Sequence, residues 1–538
     1  MAFSPFNRTQ DDATWSLARL TRPWPGDRVS ILDFLRAGVA PDHDSPMELP
    51  DEEWLTDIRS IKFAPGVFDR TMRVNDTPEE AYAQANAVVH AVRGLSANAS
   101  DRGLARLHAE ITRRRMSEVL GIIEELLTET TFSRPDRVRA IAMLLVRESP
   151  DRDAVKVGLL LLGKTGMDRV DAADLLIIGG HGEFSRFAVE ALRGRVDGWQ
   201  QIAWEMAKRA TGPGRSAAVA ALEGATDPAI RQWLLEEGWR DSEYDESAAF
   251  CCATTGGLEE ALGRGTVSLE AAGGLLQSLA RAGMFRERGL RELPNGAQIV
   301  EQYVQKMAAS EQALWQFDIA RSLHLFVASR FAKWGEHPSP EWGPELRSRV
   351  ADDCAGILRL PGWDELVWRE LQNPDERSRR DAYVVAHLRN IDLWDYWWRL
   401  AQTDPDFDEW SRLTFRLNGA RVDEFIALAS ERLKPAPGQG FGRLGSIAMA
   451  MARFPGKGWE FVRAAVWSAN GLHSTQGLRT LGEWGAENWT GEMRAELERA
   501  AKFHAEARTR EFAGEILGGE WKPPEPIEFD DEPEVWET

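Results

Sequence analysis

The chain has 538 residues, of which 43% are hydrophobic and 28% charged, enough apolar material to bury a large core. Its net charge of −20 excludes a protein built mainly to coat nucleic acid, though not a local basic patch. Its 3 cysteines, Cys251, Cys252 and Cys354, exclude a disulfide framework and carry no zinc-ligand spacing, as befits a reducing compartment.

In chain order, residues 1–80 are rich in proline, as in Arg22-Pro23-Trp24-Pro25-Gly26, and are expected to form an irregular N-terminal cap with short extended pieces near Ile58 to Phe63. Proline then becomes sparse and helical periodicity takes over, so the fold class is all-α. Leu104, Leu107, Ile111, Val119, Leu120, Ile123, Leu126 and Leu127 recur mainly at steps of three and four. They predict one apolar face of a single long helix, with Arg106, Arg113, Arg114 and Glu125 opposite. Asp227-Pro228 and Asn373-Pro374 each place a capping side chain before a proline suited to the first helical turn, with Glu376 positioned to complete a reciprocal cap on Asn373. Gly194, Gly238 and Gly518 read as helix stops. The Pro-rich stretch His337-Pro338-Ser339-Pro340-Glu341-Trp342-Gly343-Pro344 divides a first helical half, 81–335, from a second, 345–518. Lys434-Pro435-Ala436-Pro437-Gly438-Gln439-Gly440 marks a further break. Residues 519–538 form an acidic Pro-rich tail, expected to be disordered or docked on the surface. It carries Glu520, Glu525, Glu528, Asp530, Asp531, Glu532, Glu534 and Glu537 against Lys522.

Three fragments share a pattern of an Arg, interleaved apolar residues and a terminal Gly. They run from Glu183 to Gly194, from Ala507 to Gly518 and from Asp227 to Gly238. They resemble the second helix of HEAT-type repeats, where an Asp or Pro turn leads into a short Val/Ile-Arg helix. The resemblance spans about residues 135–518 and implies a superhelix of stacked helical hairpins.

Several motifs suggest chemistry and lack its context. Gly158-Leu159-Leu160-Leu161-Leu162-Gly163-Lys164-Thr165 matches the phosphate-loop spacing, but four leucines at the rim of a phosphate nest read instead as a buried helix. Gly438, Gly440, Gly442 and Gly445 miss the dinucleotide spacing because position 443 is Arg. His181 lies in an interhelical turn, Gly179-Gly180-His181-Gly182-Glu183, where a general base is conceivable. His43, His90, His108, His181, His324, His337, His387, His473 and His504 are scattered and form no metal motif. The basic spots Arg113-Arg114-Arg115 and Arg377, Arg379 and Arg380 read as solvated faces, the second diluted by Asp375, Glu376 and Asp381.

The strongest compositional signal is 22 Trp against 5 Tyr. Trp394, Trp397 and Trp398 share one helix face. Such residues either wedge between stacked helices or anchor a partner in a groove, and their spread along the chain favours wedges. The function expected is a non-enzymatic scaffold that binds a protein or peptide partner, with Trp394, Trp397, Trp398 and the tail residues Phe529 and Trp536 as contacts. No catalytic residue, metal or cofactor is assigned. The alternatives are an enzyme, a small-molecule hydrolase or oxygenase with a site assembled from dispersed residues, and a nucleic-acid-associated helical repeat. A cytoplasmic protein is expected, since no secretory leader and no apolar run of about 20 residues appears.

Overall fold

The computed structural model describes residues 14–38, 49–51, 66, 78–113, 117–167, 169–240, 246–282, 289–328, 334, 339–438, 443–468 and 471–523. These residues are helical nearly throughout, and no strand occurs among them. The chain forms two compact units, Met1–Trp54 with Phe63–Pro361, and Leu55–Lys62 with Gly362–Thr538. The division falls at Pro361/Gly362, and the Pro-rich stretch 337–344 lies within the first unit, between two helices that pack on each other.

The helices of the first unit are α1 (Ile31–Arg36), α2 (Pro78–Ala97), α3 (Asp101–Thr112), α4 (Ser117–Glu129), α5 (Pro135–Glu148) and α6 (Arg152–Thr165). Then come α7 (Arg169–Gly179), α8 (Ser185–Leu192), α9 (Trp199–Arg209), α10 (Gly212–Ala220), α11 (Pro228–Trp233) and α12 (Glu246–Gly256). The unit closes with α13 (Leu258–Arg264), α14 (Leu269–Ala282), α15 (Gly296–Ala308), α16 (Leu314–Ala328) and α17 (Pro344–Leu358). Alternate helices pack in series: α2 on α4, α4 on α6, and so through α8, α10, α12 and α14 to α16. The helices between them back this series, α5 on α6, α7 on α8, α9 on α10 and α11 on α12. Each buries an apolar face against its neighbour. On α6 these are Val155, Val157, Leu159, Leu161 and Leu162, each fully buried Leu worth about 1.5–3 kcal/mol. Gly158 is the contact point, since a Cβ there would meet Ala142 O of α5 at 2.9 Å. The phosphate-loop match is therefore a helix crossing, and Lys164 Nζ donates to Thr128 O at 3.1 Å.

The second unit contains α18 (Trp363–Glu370), α19 (Glu376–Leu388), α20 (Trp394–Thr403), α21 (Trp410–Phe415) and α22 (Val422–Leu433). It continues with α23 (Leu444–Met451), α24 (Trp459–Val466), α25 (Gly471–Trp484), α26 (Gly491–Phe503) and α27 (Ala507–Gly518). Here too alternate helices pack in series, α21 on α23, α23 on α25 and α25 on α27.

Five helices, α9, α13, α15, α18 and α24, start from a residue in the left-handed region: Gly198, Gly257, Asn295, Gly362 and Gly458. Three of these glycines precede a Trp. That conformation turns the chain sharply into the helix and lets the first side chain fold inward, as Trp363 does at 1% exposure. The tryptophans act mainly as wedges. Trp24, Trp342, Trp363, Trp394, Trp397, Trp410 and Trp484 are buried, and among the described residues only Trp368 is exposed. Their indoles tie elements together, as when Trp484 Nε1 donates to Met451 O at 2.9 Å.

The described part of the N-terminal region lies against the first helices. Trp15 Nε1 donates to Leu95 O (3.0 Å), Thr21 N–H to Asp101 Oδ1 (2.7 Å), and Arg22 pairs with Glu148 (2.6 Å). Helix α1 packs on α5 and α7. There Asp171 and Asp174, both buried, receive Arg139, Arg147 and Arg36.

Three expectations need correction. The stretch from Leu104 to Leu127 contains two helices, α3 and α4, the first ending at Thr112 before a bend at Arg113, while Arg114 and Arg115 lie outside the described residues; its apolar positions are still mostly buried. Asn373 does not cap α19. The cap is Asp375, whose side chain accepts from Ser378 N–H at 2.9 Å, while Asn373 Oδ1 accepts from Asp375 N–H at 3.0 Å. Gly518 ends α27 as its last helical residue, and the left-handed cap is Gly519. Ile58 to Phe63, Gly440, Gly442, and the tail from 524 onward, with Phe529 and Trp536, lie outside the described residues.

Gly458→Ala is expected to destabilise the second unit by about 1–2 kcal/mol from left-handed strain alone. A Cβ there would also stand 2.6 Å from Met451 Sδ, so it should cost more than Gly456→Ala, where φ is also positive and nothing lies within 4 Å. Urea denaturation of both variants checks the order.

Candidate functional site

Helix α7 runs into α8 through the turn Gly179-Gly180-His181-Gly182-Glu183. The turn is internally bonded: Ser185 Oγ donates to Gly179 O (2.8 Å) and Phe184 N–H to His181 O (3.0 Å). It places the Glu183 carboxylate beside α6, where Lys156 Nζ donates to Glu183 Oε1 at 2.6 Å. Both residues are buried, Lys156 to 2% and Glu183 to 7% exposure. Arg152 lies 3.8 Å from the same oxygen and also pairs with the buried Asp51 at 3.1 Å. The second oxygen, Oε2, accepts Gly66 N–H at 2.8 Å. One carboxylate therefore joins α6, the α7–α8 turn and the N-terminal region.

Burial alone would raise the Glu183 pKa. The charges of Lys156 and Arg152, with hydrogen bonds from Lys156 and Gly66, outweigh it and hold the carboxyl at about 2. His181 moves the other way relative to its charge: burial, with Arg152 and Lys156 nearby, overcomes the attraction of Glu183 and lowers it to about 4. It is neutral at pH 7, and its Nδ1 accepts the Glu183 N–H at 3.3 Å. Both Glu183 oxygens are occupied by internal donors, so this cluster is a structural hub and offers no free base.

Beside the hub, a groove of about 300 Å³ opens between α8 and α10. One wall is α8 and its C-cap, with Arg186, Glu190 and the cap residue Arg193. The other is Pro213, Gly214, Ala217, Ala220 and Ala221, at and just beyond α10. Its head is a meeting of three backbones, Gly66, Gly182 and Gly214. A Cβ on Gly214 would come within 2.4 Å of Gly182 O, and one on Gly66 within 2.7 Å. Arg186 pairs with Glu124 at 3.0 Å and Arg193 with Glu190 at 3.3 Å, all four side chains well exposed.

The aromatic set lies in the second unit. Trp394 and Trp398 stack, centroids 5.5 Å apart and planes at 16°, and Arg421 covers Trp394 at 4.8 Å. Trp397 joins a different group, with Tyr383 at 4.8 Å, Tyr396 at 5.1 Å and Arg412 over its ring at 5.1 Å. Trp394 and Trp397 are buried, and Trp398 is half-buried. Also in this unit, Ser468 Oγ and His473 Nδ1 stand 3.3 Å apart, both buried and closed to a substrate. Among the described residues no group of His, Cys, Asp or Glu is arranged to hold a metal ion, and no described helix is long and apolar enough to cross a membrane.

The sequence pointed to His181 and missed Glu183, Lys156 and the groove. The signal for the pair was a lone Lys between Val155 and Val157 on an apolar helix, which needs a buried acid. Comparison with protein families, curated proteins and solved structures gives no significant match.

Removing one partner of the buried pair, as in Glu183→Gln, is expected to cost about 3–5 kcal/mol, and the double variant Lys156→Met/Glu183→Leu to recover much of it. Equilibrium unfolding measures both. For His181 the folded state binds its proton less readily than the unfolded chain. Its contribution to stability is thus full above about pH 6.5 and lost as pH falls toward 4. His181→Gln is expected to flatten the stability–pH curve in that window. Glu183, also lowered, adds acid sensitivity between about pH 4.5 and 2.

Proposed function

We propose that the chain is a non-enzymatic helical-repeat scaffold, a HEAT-like superhelix, that binds a protein or peptide partner in the cytoplasm. The observation that carries this reading is the unbroken series of alternate helices from α2 to α16. A series of that kind presents side chains from successive helices along one extended surface, the feature by which helical repeats bind partners. The groups with catalytic potential support it by their engagement elsewhere. Glu183 has both oxygens occupied, and Ser468 and His473 are enclosed in the core. Of the aromatic set, Trp398 is the member assigned to partner contact, with Trp394 and Trp397 as its packed support. Phe529 and Trp536 are assigned as a second contact.

Affinity capture of the intact tagged protein from its own cells, followed by reconstitution with the purified partner, tests this. A stoichiometric complex that survives gel filtration is expected. Trp398→Ala should weaken it about tenfold with the helical circular dichroism unchanged, as should removal of residues 524–538. Absence of any reproducible partner, alongside substrate-dependent turnover by the pure protein, would overturn the reading.

A further inference from the structure

We infer that the acidic segment 524–538 folds back on its own chain as a strap across the open side of α25, α23 and α21, with Phe529 seated against Met449 and Phe415. The inference goes beyond the partner-binding reading, since it concerns the free chain. A partner that takes Phe529 and Trp536 must first lift the strap. The first support is where the strap begins. After α27 the chain turns at Gly519, which is left-handed, and the N–H groups of Glu520 and Trp521 both donate to Glu515 O, at 2.9 and 3.3 Å. Trp521 then packs on Phe512, ring centroids 6.2 Å apart, and covers Gly482 of α25. A Cβ at position 482 would stand 2.5 Å from the indole, so the ring fits there because the residue is glycine. The chain thus reaches the C-terminal half of α25 before the strap starts, with Lys522 and Pro523 exposed.

The second support is what lies next. Arg453 Nη2, just past α23, donates to Thr414 O of α21 at 2.6 Å, and Thr480 Oγ1 of α25 donates to Ala448 O of α23 at 2.9 Å, so the three helices lie side by side. On α25, Gly477 faces α24, where a Cβ would meet Val462 O at 3.0 Å. Arg479, two residues on, therefore points to the opposite, open side and is exposed. On α23 the residues around Met449 are buried, and Met449 itself is 50% exposed. On α21 Trp410, Leu413 and Thr414 are buried, and Phe415 is 78% exposed. Two large apolar side chains on neighbouring helices thus stand in water beside arginines. Among the described residues Arg453 and Arg479 bond no carboxylate, and α21, α23 and α25 together contain one acidic residue, Glu483. In a chain of net charge −20 such a side favours an acidic ligand, and 524–538 supplies seven acidic side chains and no basic one. The reach also fits. Trp521 and Phe529 are eight residues apart, about 26 Å when extended. Packed helices stand about 8–10 Å apart, which puts α21 about 20 Å from α25. Phe529 therefore reaches Met449 and Phe415, and Glu528 and Asp530 on either side of it come within range of Arg479 and Arg453.

The test places a photoreactive group in the full-length protein by Phe529→p-benzoylphenylalanine, irradiates the pure chain in dilute solution and locates the attachment by mass spectrometry. A product of one chain's mass is expected, its yield independent of protein concentration, attached to the peptides that carry Met449 or Phe415. The yield should fall with salt, and about fivefold or more in Arg453→Glu/Arg479→Glu at unchanged helical circular dichroism. Arg479→Glu alone changes a side chain that bonds nothing among the described residues and remains decisive if the double variant fails to fold. The inference is overturned by attachment spread along the chain without preference, by attachment to the first unit, by a product of two chains' mass in its place, or by an unchanged yield in the charge-reversed variants. No partner is present in this measurement, so its failure leaves the scaffold reading standing, and failure to capture a partner leaves the strap standing.

Discussion

The helices among the described residues run from 6 to 20 residues, lengths at which an isolated helix is marginal in water. Each is held by the apolar face it buries against a neighbour, and every other structural feature follows from that constraint. Alternate helices in series meet it economically, because each interior helix is covered on two sides by others of the same layer and on a third by its pair partner. Close approach then becomes the local requirement. It is met by a glycine at the crossing of α5 and α6 and by left-handed residues that start five helices, α9, α13, α15, α18 and α24. The tryptophans belong to the same economy. A ring of that size bridges the gap between two short helices where a leucine would leave a cavity.

Apolar packing does not say which segments should meet, and two buried polar hubs supply that information. Glu183 joins α6, the α7–α8 turn and Gly66, and through Arg152 it reaches Asp51. Asp171 and Asp174 join α7 to α5 and α1 through three arginines. Desolvating these ions costs much of what their attraction returns, so their net contribution to stability is small. A wrong pairing would leave a charge buried and unmatched, and the hubs thereby fix where the N-terminal region attaches.

Much of the fold was legible in the sequence because helical periodicity and proline distribution are local properties. The all-α class and the helical reading of the four leucines, of which Leu159, Leu161 and Leu162 are buried and Leu160 half-buried, followed from them, as did the capping role of Asp227, whose side chain accepts from Ala229 N–H. The misreadings were local competitions. Apolar spacing carried across Arg113-Arg114-Arg115 as though one helix continued, and Asn373 stood where a cap was plausible although Asp375, two residues on, took the role. The candidate site was far less legible. Lys156 and Glu183 are 27 residues apart, and Gly66 and Glu183 are 117 apart, so only the stacking of α6 beside the α7–α8 turn brings them together. The Gly-Trp pairs at 198, 362 and 458 begin helices while that at 238 ends one, so the pair alone does not mark a helix start.

The placement of the tryptophans bears on what the surface can do. A chain rich in aromatic residues suggests an interface that supplies its own anchors, yet here Trp394 and Trp397 have their rings engaged inside the second unit and Trp363, Trp410 and Trp484 are buried there as well. In the first unit the groove between α8 and α10 is lined by alanine, glycine, proline, arginine and glutamate, with no aromatic residue among its described lining. The residues that rigidify the layer and those that leave room on it are thus different types. The one dictates the fold, and the other sets the chemistry of what the fold can hold.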